Sequence, residues 1–103
     1  GNWKGEQIIP SSWVEVASRF HVASCPAGTR REDVKIKPAS SDWLQGYGYQ
    51  LWLCRHNAFR ADGAHGQFII ILPEKDAVIT VTANNDDMQE EINLIWKYIL
   101  PAL

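Results

Sequence analysis

The sequence predicts an α+β fold, an antiparallel sheet of three to four strands flanked by an N-terminal and a C-terminal helix. Three observations carry this. Gln67–Leu72 is almost wholly apolar, then comes the turn Pro73-Glu74-Lys75-Asp76, then the β-branched run Ala77–Ala83. From Gly46 the apolar residues alternate with a period of two. Both ends of the chain instead carry apolar residues at helical spacing.

Taken in order, Ser12 and Glu15 form a capping-box pattern, and Trp13, Val16, Ala17 and Phe20 share one face, predicting a helix over 12–21 with that face buried. Residues 22–43 mix charge with Pro26, Gly28 and Pro38 and read as a long loop. A loop of that length is uncommon in a small domain, so it is expected to lie against something outside this chain. Tyr47, Tyr49, Leu51 and Leu53 predict one face of a strand; Arg55-His56-Asn57 turns it; Ala58–Asp62 returns antiparallel. Gln67–Leu72, apolar on both faces, is expected to be a central strand covered on both sides. Asn84, Asn85 and Asp86 are expected to cap a last helix whose inner stripe is Met88, Ile92, Ile95 and Ile99, and Pro101 stops it.

Composition narrows the function classes. The chain has 103 residues, 46% hydrophobic and 21% charged, with a formal charge of −2. That balance gives no electrostatic draw toward nucleic acid or an anionic membrane, and the short basic run Arg30, Arg31, Lys35 and Lys37 is diluted by Glu32 and Asp33. The longest unbroken apolar run, Phe68–Leu72, is far short of a membrane span, and Gly1–Gly5 shows no charged-then-apolar leader pattern. Cys25 and Cys54 fit no zinc or redox spacing and read as two free thiols, with a single disulfide as the alternative in an oxidising compartment. No metal or cofactor is expected.

Few side chains suggest chemistry. Asp86, Asp87, Glu90 and Glu91 crowd a helix start, where the dipole favours negative charge. His21 and Cys25 have no further ligands beside them, and His56 falls in a turn. His65 differs, because Gly63 and Gly66 surround it where the most apolar strand begins, a place where backbone can approach closely. It reads either as a functional imidazole or as a satisfied edge histidine. Arg60 and Asp62 project to one strand face, either as a surface ion pair or as the border of the same site.

In order along the chain, Gly46-Tyr47-Gly48-Tyr49-Gln50-Leu51-Trp52, Gly63-Ala64-His65-Gly66-Gln67 and Leu72-Pro73-Glu74-Lys75-Asp76-Ala77-Val78 closely resemble the C-terminal end of class C β-lactamase-like serine hydrolases. That family includes β-lactamases, penicillin-binding D-alanyl-D-alanine peptidases, esterases and amide hydrolases. The opening segment Trp3–Val14 is similar to a stretch that precedes this region. The resemblance implies a portion of the β-lactamase/transpeptidase-like fold, in which N- and C-terminal strands share one sheet and a helical domain is inserted between them. It also implies a nucleophile in Ser-x-x-Lys, a second box of the Tyr-x-Asn kind, and a third box on a C-terminal strand that helps orient substrate and stabilise the oxyanion.

The first two boxes are missing here. The residues three after Ser11, Ser12, Ser18, Ser24, Ser40 and Ser41 are Val14, Glu15, His21, Ala27, Trp43 and Leu44, none of them Lys. The residues two after Tyr47, Tyr49 and Tyr98 are Tyr49, Leu51 and Leu100, none of them Asn. The third box maps onto His65, Gly66 and Gln67, with Arg60 and Asp62 as the neighbouring candidates, and it is not Lys-Thr-Gly. Residues 1–103 are therefore expected to form a C-terminal portion of such a hydrolase, inactive alone, whose partner is the missing N-terminal part. The alternative expectation is a non-catalytic module that forms a homodimer through an exposed sheet edge or apolar face.

Overall fold

A computed structural model describes residues 1–103. It is α+β, with two antiparallel sheets and two helices. A two-stranded hairpin, β1 (Asn2–Trp3) and β2 (Glu6–Gln7), turns through Lys4 and Gly5, both at positive φ. The main sheet has the order β3 (Trp52–Leu53), β4 (Phe59–Gly63), β5 (Gln67–Leu72), β6 (Ala77–Val81). No helix is long and apolar enough to cross a membrane.

Helix α1 runs Ser11–Ser18, shorter than the spacing predicts, and the capping box does not form. Pro10 holds the entry instead, its carbonyl accepting from the N–H groups of Trp13 and Val14 at 3.0 and 3.3 Å. Ser18 Oγ donates back to the Val14 carbonyl at 2.8 Å, and Arg19 is already extended. The expected buried face is also wrong. Only Ala17 is buried, while Trp13 and Phe20 are 55% and 58% exposed.

The expected strand from Gly46 is instead two short pieces folded about a tight turn. Gly48 N–H donates to the Leu51 carbonyl at 2.8 Å, and Gln50 takes a left-handed φ of 57°. Alternation here spans a hairpin, so Tyr47 bridges both Val22 and Trp52. Gly48 has a packing reason: a Cβ there would sit 2.3 Å from the Ala17 carbonyl oxygen. Its absence lets Tyr49 N–H reach that same oxygen at 2.9 Å and tie off the end of α1.

Strands β4, β5 and β6 follow the sequence closely, and register sorts their residues onto two faces. Phe68, Ile70 and Leu72 share the core with Cys54, Ala58, Ile92, Ile95 and Trp96. The cross-strand rows Phe59–Ile71–Val78 and Ala61–Ile69–Thr80 point the other way. No element covers that side fully: Ile69 is 48% and Val78 62% exposed. The expectation that β5 is covered on both faces is thus corrected. A single helix lies on one face of the sheet.

That helix, α2, runs Met88–Leu94 and is capped by Asp87, not by the three residues before it; Asp87 Oδ1 accepts from Glu90 N–H at 3.0 Å. It continues as a π turn, Ile95–Ile99. The wider turn rotates the apolar stripe, so Trp96 is buried and Ile99, expected inside, is 41% exposed. The loop over 22–43 is mostly exposed, with 3₁₀ turns at Arg31–Asp33 and Pro38–Ser40. Its far end is not waiting for an outside partner. Ser41 and Asp42 are buried against this chain's own sheet and helix. Cys25 and Cys54 are separate free thiols.

Candidate functional site

The sequence candidates fall in two places. Arg60 and Asp62 point into the core side of β4, whereas His65 and Gly66 lie in the β4–β5 turn and Gln67 opens β5.

Arg60 is no surface partner; it is completely buried. Its guanidinium lies 4.4 Å from the Trp43 ring centroid and 5.4 Å from that of Trp52, two cation–π contacts. Nε donates to Asp62 Oδ2 at 3.1 Å, and Nη2 pairs with the same oxygen at 3.0 Å without a well-aligned hydrogen bond. Nη1 donates to the Asp42 carbonyl at 2.9 Å and reaches Cys54 Sγ at 3.2 Å. Burial raises the Asp62 carboxyl above its ordinary value, partly offset by Arg60. Burial likewise pushes the Cys54 thiol up to about 11, so at neutral pH it is an inert thiol.

Beside this pair sits a polar cluster that the sequence reading missed. Asp42 Oδ2 accepts from Arg55 Nη2 at 2.7 Å, Gln89 Nε2 at 2.9 Å and Trp96 Nε1 at 3.1 Å. Its Oδ1 accepts from Arg55 N–H at 2.8 Å. Burial alone would raise this carboxyl, but the hydrogen bonds from Arg55, Gln89 and Trp96 outweigh it and hold it below the usual value. The one available signal was Trp96, a residue one position past the inner stripe whose N–H needs a partner once buried. The cluster is a structural joint between the long loop, the sheet and α2.

The His65 turn is more open. His65 has φ 64° and Gly66 φ 88°. The His65 carbonyl accepts from Asn85 N–H at 2.9 Å, and Gln67 Nε2 donates to the Ala83 carbonyl. His65 Nδ1 lies 3.0 Å from Asp86 Oδ1, with the two side chains 61% and 93% exposed. Beneath the turn, a Cβ on Gly66 would meet Glu91 Oε2 at 2.2 Å, and Glu91 Oε1 is buried without a hydrogen-bond partner. Gly66→Ala is therefore expected to cost about 1–3 kcal/mol, since the left-handed backbone and the Glu91 carboxylate both oppose a side chain. Thermal unfolding checks this, and an unchanged Tm would show that the turn relaxes freely.

Next to the turn, a shallow depression of about 290 Å³ on the bare side of the sheet is lined by Asp62, Gly63, Gln67, Ile69, Thr80 and Thr82 among others. It falls just below the usual range for ligand pockets. Gly63 and Gln67 thus share one concavity, with His65 at its margin in the chain; Asp62 borders it while its carboxylate stays turned to the core-side pair with Arg60, which is absent from it. These groups can donate and accept hydrogen bonds to a bound group. They include no Ser, Cys or Lys placed to act as a nucleophile. Comparison with protein-family models, with curated proteins and with solved structures finds no match to this chain.

Proposed function

We propose that this chain is the C-terminal portion of a β-lactamase-like serine hydrolase, supplying one wall of an acyl-transfer site whose nucleophile lies elsewhere in the protein. The observation that carries the reading is the one-sided sheet. Helix α2 and the core fill one face, while on the other Ile69 and Val78 are exposed, Phe59 and Ile71 are only half-buried, and β6 has an unpaired edge. A sheet with one finished face and one apolar unfinished face suits a fold completed by further strands and helices. The order of the Tyr-Gly-Tyr, Gly-x-His-Gly-Gln and Pro-Glu-Lys-Asp motifs supports the same parent.

In this reading a serine hydroxyl of the missing part attacks the acyl carbon and expels an alcohol or amine, which takes up the proton. Water then cleaves the acyl-serine ester. The turn at His65, Gly66 and Gln67 offers hydrogen bonds that orient the acyl group. Without a Lys-Thr-Gly box, esters and amides fit at least as well as β-lactams. Incubating the 103-residue chain with nitrocefin and short p-nitrophenyl esters is expected to give no acylated species by intact mass. A covalent serine adduct on this chain would sink the reading. Reading the upstream coding sequence provides the positive test, with Ser-x-x-Lys followed by a Tyr-x-Asn-like box as the expected result.

A second reading draws on the same face: the chain alone is a self-associating module that forms a symmetric dimer over the exposed Ile69 and Val78 or along the β6 edge. Sedimentation at micromolar concentration decides it. A monomer that binds no apolar dye would exclude this reading.

A further inference from the structure

We infer that Asp86 is a positioning residue for His65, holding the imidazole so that its outward nitrogen, Nε2, is a hydrogen-bond acceptor in the neutral ring. The contact between His65 Nδ1 and Asp86 Oδ1 is 3.0 Å. An ionised carboxylate has no proton to give, so the shared proton must sit on Nδ1. In the neutral ring Nε2 then carries the lone pair. In water, neutral histidine prefers the opposite arrangement, with the proton on Nε2. Asp86 therefore imposes a tautomer that solvent would not select.

The placement of Asp86 is built, although both side chains face solvent. Asn85 N–H donates to the His65 carbonyl at 2.9 Å, and Asp87 N–H donates to Asn85 Oδ1 at 3.0 Å. Gln67 Nε2 holds the Ala83 carbonyl from the other side of the turn. Two segments far apart in sequence are thus stitched together on both sides of the pair. A second carboxylate, that of Glu91, lies under Gly66. The pair on its own would count as a weak surface contact, but its chemical consequence is the tautomer and not stability.

The consequence for substrate rests on the hydrolase reading above. A neutral imidazole whose outward nitrogen accepts will engage an N–H or O–H of the bound substrate. It will not hold the carboxylate of a penicillin-type ligand. The site is thereby biased toward amides and hydroxyl-bearing esters.

The test uses the chain labelled with ¹⁵N-histidine and long-range ¹H–¹⁵N correlation spectra at about pH 8, above the ordinary imidazole range. His65→Gln assigns the signal. The expected result is a neutral His65 mostly in the Nδ1–H form. Asp86→Ala should return it mostly to Nε2–H, while Asp86→Asn, whose amide oxygen still accepts, should keep Nδ1–H. An Nε2–H majority in the unaltered chain, or no change in Asp86→Ala, overturns the proposal. In the full-length protein, Asp86→Ala should lower kcat/KM for an acyl p-nitroanilide relative to nitrocefin by roughly threefold to tenfold, the worth of one hydrogen bond. An unchanged ratio overturns the substrate consequence. No hydrolysis of either compound by the full-length protein overturns the hydrolase reading instead, and the spectra then still decide the role of Asp86.

Discussion

Asp42→Asn is expected to lower the unfolding free energy by roughly 3–5 kcal/mol at pH 7, a large share of the whole stability of a chain this size. The substitution puts an amide N–H₂ among donors: Arg55 and Gln89 both aim N–H groups at Oδ2, as does Trp96. It also leaves the Arg55 guanidinium, 22% exposed, without its anion. Chemical denaturation measures the loss, and a change below about 1 kcal/mol would show the cluster to be ornamental. The pH dependence has a definite sign. The folded-state Asp42 carboxyl titrates below its ordinary 3.8, so its contribution is complete above that value and is lost as pH falls through the folded pKa. The gap between the two proteins should therefore be flat near neutrality and close below about pH 4. Asp62 works in the opposite sense. Its folded-state value is raised, so it favours the folded state at low pH and that contribution is lost as pH rises through the folded value. Comparing the variant with the parent chain cancels Asp62 and isolates Asp42.

What made the sheet readable and this cluster unreadable is the range of the interactions. The β4–β5–β6 meander is local: the apolar period of Gln67–Leu72, the Pro73–Asp76 turn and the β-branched return each lie within a few residues. Helix α1 and the Tyr47–Leu53 stretch have equally clear periodicities that misled. Trp13 and Phe20 repeat at helical spacing yet stay exposed, and the alternation around Tyr49 is cut by Gln50 at positive φ. Periodicity reports which residues could share a face, and only tertiary packing decides whether anything covers it. The π turn after Leu94 leaves no local mark that would have moved the stripe from Ile99 to Trp96. Two glycines marked the surroundings of His65 as a place of unusual backbone where the apolar strand begins, and the positive φ of His65 and Gly66 agrees. The partners Ala83, Asn85 and Asp86 were not legible, because those contacts close across β5 and β6.

Arg60→Met should cost a further 3–5 kcal/mol or so, by leaving buried groups unpaired more than by losing an attraction. Methionine keeps much of the apolar stem near Trp43 and Trp52. It leaves the Asp62 carboxylate, 16% exposed, without a cation, and the Asp42 carbonyl without its donor. Burial then acts unopposed on Asp62 and raises its folded-state value further. The deficit should accordingly be smallest below the ordinary carboxylate range and grow as pH rises through that raised value. The double variant Arg60→Met/Asp62→Leu removes both charges and should recover a substantial part of the loss, because a buried ion pair replaced by apolar groups of similar volume is often neutral or stabilising. Denaturation of the two single variants and the double closes a mutant cycle. Additive losses would mean that Arg60 holds the core through Trp43 and the Asp42 carbonyl and owes little to Asp62. A double variant more stable than Arg60→Met alone would establish that Arg60 is retained chiefly to neutralise the carboxylate of Asp62, a residue that also borders the depression beside the His65 turn.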